Sequence, residues 1–333
     1  MNLKPLTYAH IIAIAEVWRD MGGALEVEIG ALEPLLWRDG QYRIHDVVNV
    51  LAEGGFKVSL TTNGQLLEDF AENLSRAGLY LIRTSWHSTN PLMFREISGG
   101  YGDYERFLRG VTLALESGIK VAFNRVLLRG HTSDIPEQLQ FIERYQSRLK
   151  LYTLLWTPQS ASAHESFYQD WRPVVREVVL PRTLELVRVK KELGRGRIRF
   201  RLLEGGSVEV KLGDALARDM EPCASCSFKD DCEERFGDYV RVDPRLHLYF
   251  CYMRRDLGFP MADYFGEPGG LTKKMQEALG AVDVRRLLAT TPLRLTVTPF
   301  CNFNCRVPGA SEGWCMEEPG GFIYPKIRPS LIK

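Results

Sequence analysis

The sequence predicts an α/β fold built around a parallel sheet, and two features carry this prediction. From residue 6 to about residue 155, segments with helical periodicity alternate with strand-like apolar runs, and short turns separate them. The 333 residues are 45% apolar and 26% charged, which is enough for a large core in one or two domains. The alternation fits either a barrel or a doubly wound sheet.

The elements of the first half follow from local patterns. A helix is expected over residues 6–23, which end in two glycines, and a strand over 25–30. A second helix over 44–55 and a second strand over 56–62 follow, and the strand ends at the turn signal Asn63-Gly64. Three further pairs of a helix and a strand are expected at 66–78 and 79–88, at 104–118 and 119–128, and at 135–146 and 149–158.

The second half of the chain has a different pattern of predicted helices and strands. One long charged helix is expected from about residue 165 to residue 195, with a break at Pro181. Strands are then expected around a glycine pair in 197–213, a hairpin in 239–251, a helix over 271–288 and an apolar strand from residue 293.

The composition also limits the classes of partner and the cellular compartment that are expected. A formal net charge of +1 provides no basic field for extended nucleic-acid contacts, which argues against nucleic acid as a partner. The sequence shows no signal-peptide pattern and no run of about 20 apolar residues, so no membrane partner is expected. We expect a soluble, cytoplasmic protein, in which reduced thiols bind metal rather than pair as disulfides.

The cysteines fall into two groups with different spacing. A C-terminal trio, spaced C-x3-C-x9-C, consists of Cys301, Cys305 and Cys315. A quartet, spaced C-x2-C-x5-C-x18-C, consists of Cys223, Cys226, Cys232 and Cys251. Three thiolates can hold a [4Fe-4S] cluster and leave one iron open, whereas four can saturate a cluster or close a zinc site. The spacing leaves iron-sulfur and zinc both open at the quartet.

The segment LRLTVTPFCNFNCR, followed by WCMEEPGG, resembles the first strand and cluster loop of radical S-adenosylmethionine (SAM) enzymes. The resemblance is to the molybdenum-cofactor GTP cyclase branch and its SPASM/twitch relatives. The TTNG turn at 61–64 and the strand-end Glu33 are similar to turns of that family near the cofactor. Two departures stand out: the family spacing is C-x3-C-x2-C, and Ala31 and Leu32 occupy the positions of two family glycines.

The resemblance also implies an architecture. In the family the cluster strand comes first, whereas here it comes after the other strands, as in a circular permutation. The implied fold is a partial (β/α)6 TIM-like barrel with a small cysteine-rich α+β auxiliary domain of the SPASM/twitch type. Barrel strands 2–6 are assigned to residues 1–195, the auxiliary domain to 196–290, and the first strand with the SAM-cluster loop to 291–333.

The resemblance further implies the cofactors and their residues. The trio would hold a [4Fe-4S] cluster that binds SAM, and the quartet would hold a second [4Fe-4S] cluster or zinc. The residues expected to contact SAM are Glu33, Thr62, Asn63, Ser85, Asn124 and Arg125. His87 is expected at the same end of the sheet, either as an acid or base toward substrate or as a packing residue.

The implied activity is reductive cleavage of SAM to a 5'-deoxyadenosyl radical, which abstracts hydrogen from a substrate. A saturated second cluster suits electron relay, so a peptide or protein maturase is expected, with a reducing donor such as flavodoxin or ferredoxin. The alternatives are a GTP-cyclase-like or other small-molecule radical SAM enzyme, and a non-catalytic zinc-stapled binding protein on a degenerate barrel.

Overall fold

The structure of the protein is a computed structural model. It describes residues 5–30, 32–154, 161–189, 197–211, 226, 239–251, 258–265, 269–280 and 294–299. These residues form two compact units. The first unit contains the described residues up to 63, residues 72–82 and the described residues from 239 to 299. The second contains residues 64–71, the described residues from 83 to 211 and residue 226.

The helices and strands are numbered in chain order. The helices are α1 Tyr8–Asp20, α2 Ile44–Glu53, α3 Leu67–Arg76, α4 Pro91–Ile97, α5 Tyr104–Glu116, α6 Ile135–Arg144, α7 Ala161–Phe167, α8 Trp171–Val174 and α9 Gly270–Gly280. The longer strands are β1 Glu26–Ile29, β4 Lys57–Thr62, β5 Leu81–Ser85, β6 Lys120–Val126, β7 Arg148–Tyr152, β8 Thr183–Val189, β9 Arg197–Leu202, β10 Ser207–Lys211, β11 Tyr239–Val242, β12 His247–Tyr249 and β14 Arg294–Val297. The two-residue strands are β2 Arg38–Asp39, β3 Tyr42–Arg43 and β13 Phe259–Pro260.

In the first unit, strand β14 from late in the chain lies between β1, from the beginning of the chain, and β11. The strand order is β13-β12-β11-β14-β1-β4. Strand β14 runs parallel to β1, with Leu295 opposite Val27 and Val297 opposite Ile29, and β1 in turn runs parallel to β4. Gly30 continues this pairing, because its N–H donates to the carbonyl of Val297 at 3.1 Å.

Helix α1 begins beside the end of β14. The Thr7 hydroxyl caps the helix by accepting from the N–H of His10, and Ile11, Ile14 and Trp18 are among the residues of its buried face. Immediately before the cap, the Leu6 N–H donates to the carbonyl of Pro299 at 3.0 Å. The start of α1 is therefore attached to the segment that follows β14.

The second unit combines a parallel part with an antiparallel extension. Its strand order begins with residues 83–85 of β5 and continues β6-β7-β10-β9-β8, in which β6, β7 and β10 are parallel and β9 and β8 are antiparallel additions. The core contains an aromatic group in which the rings of Phe107, Phe123 and Phe141 lie 5.0–6.1 Å from the ring of Trp86. Helices α5 and α6 supply Phe107 and Phe141, so this group fixes both helices on one face of the sheet.

The expectation of one long helix from about 165 to 195 is wrong. Helical structure continues from α8 through a π-helical turn at Val175–Val179 and a 3-10 turn at Leu180–Arg182, and then gives way to strand β8. Pro181 removes a backbone donor at this point, and the following TLELVRV alternates residue types as a strand does. Strand β9 supplies the antiparallel partner, with Phe200 opposite Leu186.

The predicted α/β class, with helices between parallel strands, is confirmed. The hairpin expected in 239–251 is also present, as β11 and β12. The division into 1–195, 196–290 and 291–333 stays a prediction. Among the residues that the structure describes, none of the helices combines the length and the apolar character that crossing a membrane requires.

Candidate functional site

Glu33 is the centre of the site in the first unit. It follows β1 and is only 6% exposed. Its Oε1 accepts from the N–H of Leu35 at 3.0 Å, and its Oε2 accepts from the N–H of Asn63 at 2.8 Å. The Thr62 hydroxyl donates to the same carboxylate, 2.7 Å from Oε1 and 2.8 Å from Oε2. Glu33 therefore joins the end of β1 to the turn after β4.

The pKa of Glu33 is raised by burial, although hydrogen bonds from Asn63, Thr62 and Leu35 oppose the shift. A raised pKa means that the folded protein holds this proton more tightly than the unfolded chain does. The stability that Glu33 contributes is thus fully present below its ordinary pKa of 4.5 and is lost as the pH rises through the folded value.

We expect the free energy of unfolding of the wild type to fall relative to that of Glu33→Gln as the pH rises from about 4.5 toward neutrality. The glutamine cannot ionise, so the difference between the two proteins isolates this one group. Urea unfolding of both proteins at a series of pH values measures it. A difference that is constant or that changes in the opposite direction would contradict the assignment.

Leu32, which precedes Glu33, has a backbone conformation that is unfavourable for residues with a Cβ. Its φ is +30°, and its side chain is 53% exposed. A residue with a Cβ is strained in this region, whereas glycine is not. The observation agrees with the family's use of glycine at this position, which Leu32 does not follow. Ala31, the other departure, lies outside the described residues.

We expect Leu32→Gly to raise the free energy of unfolding by about 0.5–1 kcal/mol, because strain relief exceeds the entropic cost of a glycine. Leu32→Ala keeps a Cβ and is expected to remain close to wild type. Urea unfolding of the three proteins compares them. A loss of stability in the glycine variant would show that the Leu32 side chain makes a contribution larger than the strain.

In the second unit, neighbouring residues of β6 have different environments. The side-chain Oδ1 of Asn124 is buried and has no hydrogen-bond partner among the described residues. A buried acceptor without a donor is costly, so this atom fits a donor group of a bound ligand. Ser85, predicted to contact the same cofactor, ends the adjacent strand β5 and is partly buried.

Arg125 is fully buried and its guanidinium is held by protein groups. It donates to the side chain of Gln138 at 2.6 Å, to the carbonyl of His131 at 2.7 Å and to Asp134 at 2.5 Å. Gln138 in turn donates to the carbonyl of Trp86 at 2.8 Å. Through these hydrogen bonds, Arg125 holds α6 and the loop before it against the sheet. The predicted contact of Arg125 with SAM stays a prediction.

Asp134 connects Arg125 to the segment after β5. Its Oδ2 accepts from the Ser88 hydroxyl at 2.7 Å and from the Thr89 N–H at 2.6 Å. Burial acts to raise the pKa of Asp134, but the hydrogen bond and the charge of Arg125 outweigh it and the pKa is lowered. Sequence reasoning missed Asp134 and Gln138, and the one available signal was the position of Asp134 just before a predicted helix.

His87 is a neutral histidine in this arrangement. Burial and the nearby charge of Arg125 lower its pKa to about 4. Its Nδ1 accepts from the N–H of Val126 at 3.2 Å, which requires an unprotonated nitrogen. This geometry favours a packing role for His87, which joins the segment after β5 to β6.

Most of the predicted metal ligands lie outside the described residues. These are Cys223, Cys232, Cys301, Cys305 and Cys315. Cys226 and Cys251 are described and partly buried. The described segment ends at Pro299, two residues before Cys301.

Comparison with known proteins gives one family. Residues 2–142 match the Radical SAM superfamily. The chain is 29% identical over 256 residues to a probable GTP 3',8-cyclase of Methanothermobacter thermautotrophicus, covering 75% of this chain and 76% of that protein. It is 30% identical over 120 residues to the GTP 3',8-cyclase of Rhizobium etli, covering 36% of this chain and 34% of that protein. Among solved structures, SuiB of Streptococcus suis bound to SAM shares 19% identity, with a TM-score of 0.38 and coverage of 44% of this chain and 33% of that one.

The match over residues 2–142 supports the resemblance to the radical SAM superfamily that the sequence motifs suggested. The similar proteins indicate an iron-sulfur enzyme whose cofactors are a [4Fe-4S] cluster and SAM. The described residues fit SAM in one respect, since Asn124 presents an unpartnered buried acceptor.

Proposed function

We propose that Cys301, Cys305 and Cys315 hold the [4Fe-4S] cluster and that the enzyme abstracts hydrogen from a peptide or protein. When bound, the cluster supplies the electron that cleaves SAM and yields the 5'-deoxyadenosyl radical. One observation carries the proposal: β14 leads toward Cys301 and pairs in parallel with β1, which itself ends just before Glu33. The pairing supports the proposal because parallel strands end at one edge, and Glu33 with the TTNG turn lies at the end of β1 and β4.

The proposal includes a circular permutation. In the family order, the cluster loop connects the first strand to the first helix. Here the Leu6 N–H bonds to the carbonyl of Pro299, which brings the start of α1 next to the end of β14 although the two are at opposite ends of the sequence. This neighbourhood is what a permuted barrel requires, with 291–333 as its first strand and cluster loop.

The described residues have separate roles in this scheme. Glu33 fixes the TTNG turn through Thr62 and Asn63, so that the turn is preorganised for the cofactor. Because its oxygens already accept several hydrogen bonds, Glu33 acts mainly as a positioning residue, and a cofactor amine would share it. Asn124 offers an acceptor for a cofactor hydroxyl, and Ser85 lies on the adjacent strand.

The quartet Cys223, Cys226, Cys232 and Cys251 would hold a second [4Fe-4S] cluster in an auxiliary domain over 196–290. Four thiolates saturate such a cluster, which suits transfer of electrons better than binding of a substrate. This feature favours a peptide or protein maturase that receives electrons from flavodoxin or ferredoxin in the cytoplasm. Zinc at the quartet is the alternative, and the metal content of the protein decides between them.

A GTP-cyclase-like reaction on a small molecule is the second candidate. The relative from Methanothermobacter thermautotrophicus, called a probable GTP 3',8-cyclase, aligns with 75% of this chain. An alignment of this extent supports a shared type of reaction, although at 29% identity the substrate can differ.

Transfer of deuterium into 5'-deoxyadenosine separates the two candidates. The reduced enzyme is incubated with SAM and either a fully deuterated pool of cellular peptides or fully deuterated GTP. The proposal predicts deuterium in 5'-deoxyadenosine from the peptide pool and none from GTP. Deuterium from GTP alone would contradict the maturase and establish the second candidate.

A further inference from the structure

Asp134 in the second unit does not act as residues at the start of a helix usually do. An aspartate directly before a helix commonly accepts from the first backbone N–H groups of that helix. Asp134 directly precedes α6, and its side chain makes no such bond to the described N–H groups of α6. Its carboxylate, which is 17% exposed, bonds instead to residues 86–89, which follow β5. We refer to residues 86–89 as the post-β5 segment.

The carboxylate of Asp134 connects three parts of the chain. Its Oδ2 accepts from the Ser88 hydroxyl at 2.7 Å and from the Thr89 N–H at 2.6 Å, and its Oδ1 accepts from Arg125 at 2.5 Å. The Ser88 hydroxyl in turn accepts from the N–H of Asn90 at 3.1 Å, where α4 begins. One side chain therefore joins the start of α6, strand β6 and the end of the post-β5 segment.

The first half of the post-β5 segment is held from the same side. The Trp86 N–H donates to the carbonyl of Asn124 at 2.9 Å, and the Trp86 carbonyl accepts from the side chain of Gln138 at 2.8 Å. The His87 Nδ1 accepts from the N–H of Val126 at 3.2 Å. All four residues of the post-β5 segment are therefore bonded to β6, to α6 or to the residue before α6.

The post-β5 segment begins directly after Ser85, one of the predicted cofactor residues. Trp86 and Phe123 pack against each other in the core, with ring centroids 5.0 Å apart. Because side chains alternate along extended backbone, their neighbours Ser85 and Asn124 point to the opposite face of the sheet.

The face that Ser85 and Asn124 share is suited to a ligand. Ser85 is partly buried, and the Oδ1 of Asn124 is buried without a hydrogen-bond partner in the described part of the chain. The backbone bond from Trp86 to Asn124 joins the two strands at this point. The bonds of the post-β5 segment therefore set the position of Ser85 relative to Asn124.

We infer that Asp134 is a positioning residue for SAM, which holds the post-β5 segment so that Ser85 and Asn124 form one surface for the cofactor. The inference rests on the proposed function in taking Ser85 and Asn124 as cofactor residues. Asp134 acts through the segment, since its two oxygens already accept from Arg125, Ser88 and Thr89. A site that is ordered before binding has a higher affinity, because less conformational entropy is lost when the ligand binds.

Asp134→Asn tests the inference with a change that keeps the size of the side chain. A carboxamide has a single oxygen, and where that oxygen accepts from Arg125, the NH2 group faces the N–H of Thr89, so that two donors oppose each other. Hydrogen exchange of the reconstituted protein without SAM is expected to be about tenfold faster in the post-β5 segment. Isothermal titration calorimetry without reductant is expected to show about tenfold weaker binding of SAM.

Glu143→Gln is the matched control on the same helix. Glu143 lies near the other end of α6 and pairs with Arg182 at 2.7 Å, with its side chain 9% exposed. This variant also breaks a largely buried ion pair, but it leaves every bond to the post-β5 segment in place. It is expected to keep the wild-type exchange rates in that segment and the wild-type affinity for SAM.

Ser88→Ala is a second, milder variant, which keeps the test decisive if Asp134→Asn does not fold. It removes one donor to Asp134 and spares the ion pair with Arg125. The affinity for SAM is expected to fall about threefold, with faster exchange in the same segment.

Three outcomes would overturn the inference alone while the wild type binds SAM. These are unchanged exchange in the post-β5 segment of the variants, unchanged affinity for SAM despite faster exchange, and a loss of affinity in Glu143→Gln equal to that in Asp134→Asn. The last outcome would trace the loss to lower stability in general. Failure of the reconstituted wild type to bind SAM would overturn the proposed cofactor site, and the inference with it.

Discussion

Gly64→Ala is expected to lower the free energy of unfolding by about 3 kcal/mol or more, because two penalties combine at this position. Gly64 has a φ of +82°, which disfavours any residue with a Cβ. A Cβ built there would also lie 2.6 Å from Cδ2 of Phe107 and 2.9 Å from Oγ1 of Thr84. Both neighbours are fully buried, so neither can move away without disturbing the core.

The matched control is Gly118→Ala in the same unit. Gly118 has a φ of +85° and nothing within 4 Å of its Cβ position, so it isolates the backbone penalty. We expect a loss of about 1 kcal/mol there. Urea unfolding measures both variants, and equal losses would show that the crowding at Gly64 is relieved by relaxation. Since Gly64 ends the TTNG turn, this prediction links the stability of the turn to the packing beneath it.

Arg125→Met is expected to destabilise the protein by about 3–5 kcal/mol, the range found when one partner of a buried ion pair is removed. The variant removes the donor that Arg125 supplies to Oδ1 of Asp134, to the side-chain oxygen of Gln138 and to the carbonyl of His131. Arg125→Lys keeps the charge but cannot reach three acceptors, so an intermediate loss is expected. Urea unfolding provides the comparison.

The control for Arg125 is an exposed ion pair in the same unit. Arg106 bonds to Asp69, with the side chains 38% and 55% exposed. Arg106→Met is expected to cost less than about 1 kcal/mol. A loss in Arg125→Met as small as that of Arg106→Met would contradict the structural role assigned to Arg125.

Most of the alternating helices and strands could be predicted because burial of one face leaves a period in the sequence. Helices α1, α2, α5 and α6 carry apolar residues at helical spacing, and the strands between them are short apolar runs. The helix expected up to residue 195 failed for a physical reason. The residues of TLELVRV include good helix formers, and the strand pairing that decides their structure comes from β9.

The site could be predicted in part. Parallel strands end at one edge, which is why Glu33 and the TTNG turn were expected together. Sequence alone could not show that Thr62, Asn63 and Leu35 already bond to the Glu33 carboxylate. Asn124 and Arg125 were both predicted to contact SAM, yet adjacent residues of a strand point to opposite faces. Because side chains alternate between the two faces of a strand, Asn124 and Arg125 should have been assigned different roles.

The grouping of Lys150, Arg197 and Arg199 around Glu209 could not be predicted because it depends on strand register. Its members come from β7, β9 and β10, and only the pairing of Glu209 with Lys150 and Arg199 brings them together. In the sequence, the arginines of β9 suggest a solvated edge strand. The antiparallel pairing of β9 with β10 places these arginines on one face of the sheet.

The most direct test of the account is anaerobic reconstitution with iron and sulfide, followed by reaction with SAM and dithionite and measurement of 5'-deoxyadenosine. The wild type is expected to form it, and the triple variant of Cys301, Cys305 and Cys315 to alanine is expected to form none while keeping the iron of the quartet. A Cys223→Ala, Cys226→Ala variant is the control and is expected to retain SAM cleavage. Formation of 5'-deoxyadenosine by the triple variant, or none by a fully loaded wild type, would contradict the placement of the radical chemistry at the trio.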